Sequence, residues 1–245
     1  MVVPQKTKVL VVDDEPQIRE IISEHFEIFG FEVTQAPNGR EAWVILQSQP
    51  FQIVVSDIHM PNGDGFELLR NIKANNPEIP KVFFISGHIG GNVEDMYDQG
   101  VDGIFEKPFD ASTLRNSIKK SLVPLNTRWG IPPKAISPSE QVQVKLNNLD
   151  GDRKIFQLGR GGFSLSHKSA DKLFLEQYIS FEINFTSDPH FKIFSGIGQV
   201  LWTLETPMHK HQAVGVEILH LKKDSLQDYQ NWIQISNSTA FIPKL

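Results

Sequence analysis

From residue 7 to about residue 123, short apolar runs alternate with amphipathic stretches, the rhythm of strands and helices taken in turn. The strand candidates are KVLVV (8–12), FEVTQA (31–36), FQIVVS (51–56), KVFFIS (81–86) and GIFEK (103–107). Most are β-branched and apolar on both faces, which predicts a parallel sheet covered by helices on each side. After the first strand, QIREIISEHFEIFG sets Ile18, Ile21, Ile22, Phe26 and Phe29 at helical spacing and stops at Gly30. NGREAWVILQ, GFELLRNIKANN and DASTLRNSIKKSL repeat that pattern, the last with Asp110 as N-cap. Residues 1–123 therefore read as an α/β domain in three layers, a five-stranded parallel doubly wound sheet between helices.

PLNTRWGIPPKAISP (124–138) breaks the rhythm with Pro124, Pro132, Pro133 and Pro138, and reads as a Pro-rich linker of limited flexibility. Beyond it the period changes. QVQVKL, KIFQL, YISFEINF, FKIFSGIGQVLWTL and AVGVEILHL alternate or run apolar between Gly and polar breaks, with no long helix among them. Residues 139–245 are expected to form a small antiparallel β-barrel or a sandwich. KKDSLQDYQNWIQIS then supplies a C-terminal helix with Leu226, Tyr229, Trp232 and Ile233 on one face. No internal repeat or low-complexity tract interrupts either part.

Composition narrows the classes. At 245 residues the chain has room for two ordinary domains, and 40% hydrophobic with 22% charged residues is a globular balance. The formal net charge of -5 and the lack of a clustered basic face argue against nucleic-acid binding. With no Cys, disulfides and thiol catalysis are excluded. The apolar run in MVVPQKTKVLVVDDE is too short for a signal-peptide core and no segment approaches a membrane span, so a cytoplasmic protein without a membrane partner is expected.

The stretch VSDIHMPNGDG (55–65) poses the chemical question, because an apolar strand there runs directly into Asp57. A carboxylate at the mouth of a buried strand is costly unless it meets a cation or solvent. In an open parallel sheet, ligands bind beyond the carboxyl ends of the strands. Those ends carry Asp13 and Asp14 after the first strand, Asp57 after the third, Ser86 after the fourth and Lys107 after the fifth. Three crowded carboxylates repel one another and call for a neutralising cation, and oxygen donors favour a hard ion, Mg²⁺ above all. Lys107 suits a phosphoryl oxygen or a pairing with Asp57, and Ser86 offers a hydroxyl donor. Asp57 then has the role of nucleophile, forming an aspartyl phosphate. Taken singly, each of these residues reads better as a helix cap or a surface ion pair; their convergence on one pocket is what favours a site.

VLVVDDEP, SDIHMPNGDG, ISG and EKPF resemble, in order, the motifs of response-regulator receiver domains over residues 7–123. The resemblance implies Asp57 as phosphoacceptor and Asp13 and Asp14 as Mg²⁺ ligands. It further implies His59 as a ligand through its backbone carbonyl, Ser86 as the switch hydroxyl and Lys107 as the family's lysine. It also implies a two-component signalling protein and not an enzyme in the ordinary sense, with only self-phosphorylation and self-dephosphorylation chemistry. The partners expected from it are a sensor histidine kinase or phosphotransfer protein, a second copy of the chain through the receiver, and a downstream protein. Two departures stand out. Ile104 holds the place where the family usually has a rotating aromatic ring, with Phe105 beside it, and the helix after ISGH begins with Gly90 and Gly91, each costing about 1 kcal/mol relative to Ala. A short or loosely held helix would pass the signal by its ordering. His59 and His88, two residues beyond Asp57 and Ser86, read either as groups that tune dephosphorylation or as solvent-exposed loop histidines.

QLGRGGFSLS, GQVLWT and AVGVEIL with its following helix resemble a PilZ domain, a small β-barrel that binds cyclic di-GMP in many bacterial proteins. Gln157, Gly159 and Gly162 fall at the three positions of that family's ligand turn, and only the last keeps the family residue. No Arg pair four residues apart precedes it; Arg128, Arg153 and Arg160 are isolated. Arg160 and Gly162 remain the candidates for nucleotide contact, against the reading of a Gly-rich bulge at a barrel corner. The leading expectation is a phosphorylation-controlled regulator whose second domain acts through protein contacts. A phosphorylation-gated cyclic di-GMP effector is the alternative, and a ligand-independent scaffold is third.

Overall fold

The structure is a computed structural model and describes residues 6–87, 92–133, 136, 141–149, 155–167, 172–186, 188, 190–206, 211–236 and 238–244. The chain divides into two compact units, Met1–Asn92 with Gln99–Leu122, and Val93–Asp98 with Val123–Leu245.

The first unit is built on five parallel strands: β1 (Lys8–Val12), β2 (Glu32–Ala36), β3 (Ile53–Asp57), β4 (Lys81–Ser86) and β5 (Gly103–Glu106). Their order across the sheet is β2-β1-β3-β4-β5, so the chain winds one way from β1 to β2 and the other way from β3 onward. The helices α1 (Pro16–Ile28), α2 (Gly39–Ser48) and α3 (Gly65–Asn75) are crossovers between successive strands, and α5 (Ala111–Leu122) follows β5. β3 is buried at every position, its polar end residues Ser56 and Asp57 included. Val9, Val11, Ile53, Val55, Phe83 and Ile85 share a core with Ile22 and Phe26 of α1 and Leu114 and Ile118 of α5. On α1 the helical spacing brings Ile22 and Phe26 inside but leaves Ile21 55% exposed. Asp110 caps α5 as the spacing predicts, accepting hydrogen bonds from the Thr113 amide at 2.8 Å and the Ser112 amide at 3.3 Å.

The second unit holds a six-stranded sheet of β6 (Gln141–Leu149), β7 (Phe156–Leu158), β8 (Gly162–His167), β9 (Tyr178–Phe185), β10 (Ile193–Thr206) and β11 (His211–Leu221), in the order β6-β9-β10-β11-β8-β7. The expectation of an antiparallel barrel needs correction. β6 pairs in parallel with β9, so the sheet is mixed, and among the described residues no pairing joins the two edge strands β6 and β7. The physical reason is the connection: the β7–β8 hairpin lies between β6 and β9 in sequence and pairs on the far side of β11, and a crossover of that length permits a parallel neighbour. Phe163, Phe181 and Phe194 pack as tilted and edge-to-face rings in the core, 4.7 to 5.8 Å between centroids. α7 (Lys223–Ile235) covers it with Tyr229 fully buried and Leu226, Trp232 and Ile233 packed alongside.

Two short helices complete this unit. α6 (Leu125–Gly130) lies within the stretch read as linker, and its Trp129 is fully buried, 5.0 Å from the Tyr229 ring. Arg128 pairs with Glu217 at 2.8 Å and the Trp129 carbonyl meets His220 Nδ1 at 2.8 Å, so this helix is bound to β11. α4 (Val93–Asp98) is inserted in sequence between β4 and β5, yet it belongs with the second unit.

Candidate functional site

Asp57 is the last residue of β3 and is 9% exposed. Its Oδ1 accepts hydrogen bonds from the backbone amides of Ile58 at 2.6 Å and His59 at 3.3 Å, and its Oδ2 accepts one from Lys107 Nζ at 2.9 Å. The same ammonium donates to Asp13 Oδ2 at 2.8 Å, bridging the two carboxylates. Burial of Lys107 opposes its charge, but hydrogen bonds and attraction from Asp13 and Asp57 outweigh that penalty and raise its pKa above the ordinary lysine value. Lys107 is placed in turn by β5 and β4, its amide donating to the Ser86 carbonyl at 2.8 Å, and Ser86 is buried.

Asp13 ends the chain's run through β1. Its Oδ1 accepts from the Glu15 amide at 2.9 Å, and its carbonyl is held by Arg19 Nη1 at 2.6 Å. Asp13, Asp14 and Asp57 each bring a carboxylate oxygen within 4.8 Å of the others. Three hard, anionic oxygen donors at that separation suit a small divalent cation, whose charge they share. The five strand-end residues picked out by their order in the sequence thus arise at the same edge of one sheet, and the structure brings Asp13, Asp57 and Lys107 into direct contact. His59 is exposed, with only its amide directed at Asp57; His88 lies outside the described residues.

The turn after Asp57 shows why Pro, Asn and Gly follow a buried strand. Asn62 and Gly63 take positive φ of 61° and 109°, reversing the chain, and Asp64 Oδ1 then caps α3 through the Glu67 amide at 2.7 Å. A Cβ at Gly65 would stand 2.4 Å from the Asp57 carbonyl oxygen, so the first turn of α3 is pressed against the backbone of the acidic residue. Gly65, the Ile58 and His59 amides, and Arg19 are parts of the site that residue chemistry did not single out. GDG (63–65), at the end of the turn that follows the acid, was the available signal for Gly65; Arg19 carried none.

The family described as Response regulator receiver domain matches residues 9–119. Response regulator Rre1 of Synechocystis sp. is 36% identical over 116 residues, which cover 46% of this chain and 50% of that protein. Response regulator receiver protein CpdR of Brucella abortus is 32% identical over 117 residues, 47% of this chain and 97% of the relative. The chain belongs to the response-regulator family. Sporulation initiation phosphotransferase F of Bacillus subtilis is similar as well, 30% identical over 115 residues and 93% of its length. The alignment spans half the length of Rre1, so the likeness lies in the receiver and leaves the second unit to be read from its own residues. No helix among the described residues is long and apolar enough to cross a membrane.

In that second unit, the GRGG turn does not open onto solvent. Arg160 is 5% exposed, its Nε donates to the Thr239 carbonyl at 2.9 Å, and its guanidinium carbon lies 5.8 Å from the centre of the Phe241 ring. The Arg160 and Gly161 amides donate to the carbonyls of Ala240 and Phe241, both at 2.9 Å. Gly162 begins β8, where a Cβ would meet Ile242 at 2.9 Å and the Val216 carbonyl oxygen at 2.0 Å. Residues 239–243 therefore lie on the GRGG turn.

Proposed function

We propose that this response regulator accepts a phosphoryl group on Asp57 and passes the change to its second unit, which acts by protein contact. The observation that carries the reading is the Asp13–Lys107–Asp57 bridge beside the third carboxylate of Asp14. The donor is a phosphohistidine of a sensor kinase or phosphotransfer protein, or a small acyl phosphate. An Asp57 carboxylate oxygen attacks phosphorus, the bond from phosphorus to the donor's nitrogen or oxygen breaks, and the departing group takes the electron pair and then a proton. Asp13, Asp14, Asp57 and the His59 backbone carbonyl are the groups that would hold Mg²⁺. That ion supplies charge neutralisation for the phosphoryl oxygens. The backbone amides of Ile58 and His59 orient the nucleophile through Oδ1. Lys107, already on Oδ2, would turn its ammonium to an incoming phosphoryl oxygen, and Ser86 would donate its hydroxyl to another. On this reading the chain is a phosphoacceptor and not an enzyme with a separate substrate, and its receiver also offers a surface for a second copy.

The second unit is read as PilZ-like, from its six strands, its Gly-rich turn and its C-terminal helix. Its output is assigned to protein contact and not to cyclic di-GMP because Arg160 is buried and engaged with Thr239 and Phe241. Two guanidiniums would be needed to clamp the phosphates, and losing a bidentate, desolvated arginine contact costs about 2 to 5 kcal/mol.

The test is labelling of the full chain with acetyl phosphate. Wild type is expected to acquire one phosphoryl group only when Mg²⁺ is present, with chelation abolishing it, and Asp57→Asn none. Lys107→Ala should slow transfer by about two orders of magnitude, the usual effect of removing one donor to a developing oxyanion. Equal labelling of the Asn variant would reject the assignment. Calorimetric titration with cyclic di-GMP is expected to show no saturable heat; micromolar binding lost in Arg160→Ala would favour the nucleotide reading.

A further inference from the structure

The C-terminal residues 239–244 touch two things at once. One side lies on the GRGG turn through the Arg160 and Gly161 amides, and a Cβ at Gly161 would come within 1.9 Å of the Phe241 ring, so the turn's lack of side chains is what admits that ring. Gln157 Nε2 adds a hydrogen bond to the Lys244 carbonyl at 3.1 Å. The other side lies on α4. The Phe241 amide donates to the Tyr97 carbonyl at 2.9 Å, and the two rings stand 6.0 Å apart at 31°. The Lys244 amide donates to Asp98 Oδ1 at 2.9 Å, and its ammonium pairs with Asp95 at 2.8 Å and stands 3.8 Å from the buried carboxylate of Glu94, which has no hydrogen bond on Oε1.

α4 has six residues, too few to hold a helix by its own backbone bonds. Its last carbonyls need partners from outside, and the tail provides one at Tyr97. Its acidic residues Glu94, Asp95 and Asp98 crowd on so short a helix, and Lys244 is the cation set among them. Each of these interactions exists only while the tail is docked. Ordering of α4 and docking of the tail are therefore linked, and by reciprocity whatever loosens one must loosen the other.

We propose that residues 239–244 are an intramolecular ligand bridging α4 and the Gly159–Gly162 turn, and that phosphorylation of Asp57 releases tail and α4 together. The second clause rests on the proposed function above. α4 follows β4 and Ser86 along the chain, so a rearrangement at Ser86 is delivered to the element the tail holds. The tail is docked while Lys107 still bridges Asp13 and Asp57, so docking belongs to the unmodified site, and release requires that the phosphorylated receiver favour the undocked form. Release would uncover the Gly-rich turn and the apolar face of Phe241 and Ile242 for the downstream protein.

Amide hydrogen exchange on the full chain, read by mass spectrometry of peptides covering α4, the Gly-rich turn and the tail, decides both clauses. Phe241→Ala and Gly161→Ala attack the contact from opposite sides. Both are expected to raise exchange at α4 at least tenfold while β10 and β11 keep wild-type protection, which guards against simple unfolding. Lys244→Ala should act in the same direction more weakly. Unchanged α4 exchange in Phe241→Ala with the tail itself deprotected would overturn the linkage. In wild type treated with acetyl phosphate and Mg²⁺, with the phosphoryl group verified by intact mass in the same sample, exchange at α4 and the tail should rise together. No change in a verified phosphorylated sample would overturn the release. Should no phosphoryl group attach, the proposed function fails by itself, and the two substitutions still decide the linkage.

Discussion

At the scale of single residues, the site depends on close approach as much as on charge. Gly65 lies against the Asp57 carbonyl with no room for a methyl group, and the neighbour is backbone that cannot rotate away. Gly65→Ala is expected to lower the stability of the receiver by about 1 to 3 kcal/mol, the range for overpacking, with the shift read from the urea midpoint. Because the displaced atom belongs to Asp57, the variant should also take up a phosphoryl group more slowly than its stability alone would require. In the second unit, His220 carries a pH signature. Burial lowers its pKa from the ordinary 6.5, and its bond to the Trp129 carbonyl only partly offsets that. The folded state therefore binds the proton less readily than the unfolded chain, and stability rises with pH across the interval below about 6.5. Unfolding of the second unit is expected to be easier at about pH 5 than at about pH 7.5, and His220→Gln should reduce that difference. An equal difference in the variant would assign the pH dependence to other groups.

At the scale of elements, strands proved more legible than short helices. β1 and β4 fall on KVLVV and KVFFIS to the residue, because the apolar stretch inside each is unbroken and buried on both faces. The acidic site was legible for the same reason, since strand ends fix where the next residue emerges. α6 was not: its six residues sit among prolines, and one tryptophan supplies the burial that no periodicity could display. The tail was hidden as well, because AFIPK (240–244) has neither helical nor strand period and its order comes from tertiary partners. The parallel placement of β6 could not be read from strand propensities, which carry no pairing direction. Trp129 makes the boundary testable. Trp129→Ala is expected to destabilise the second unit by about 3 to 5 kcal/mol, the usual loss for truncating a buried aromatic side chain, as measured by thermal or urea unfolding. A loss below about 1 kcal/mol would return residues 125–130 to the role of linker.

At the scale of the whole molecule, the chain joins a receiver whose chemistry is concentrated at one sheet edge to a unit whose Gly-rich turn is filled by its own C-terminal residues. α4 belongs with that second unit although it follows β4 along the chain, so signalling turns on whether Asp57 is chemically modified and whether α4 responds. The first question comes before the second. An aspartyl phosphate is an acyl phosphate and is reduced by borohydride to homoserine, which leaves a permanent mark at the position that carried it. The most direct measurement is therefore reductive trapping of the full chain after incubation with acetyl phosphate and Mg²⁺, followed by peptide sequencing in a mass spectrometer. The account requires homoserine at position 57, and none when Mg²⁺ is chelated; homoserine at position 13 or 14 instead, or an unmodified Asp57 in the presence of donor and Mg²⁺, would contradict it.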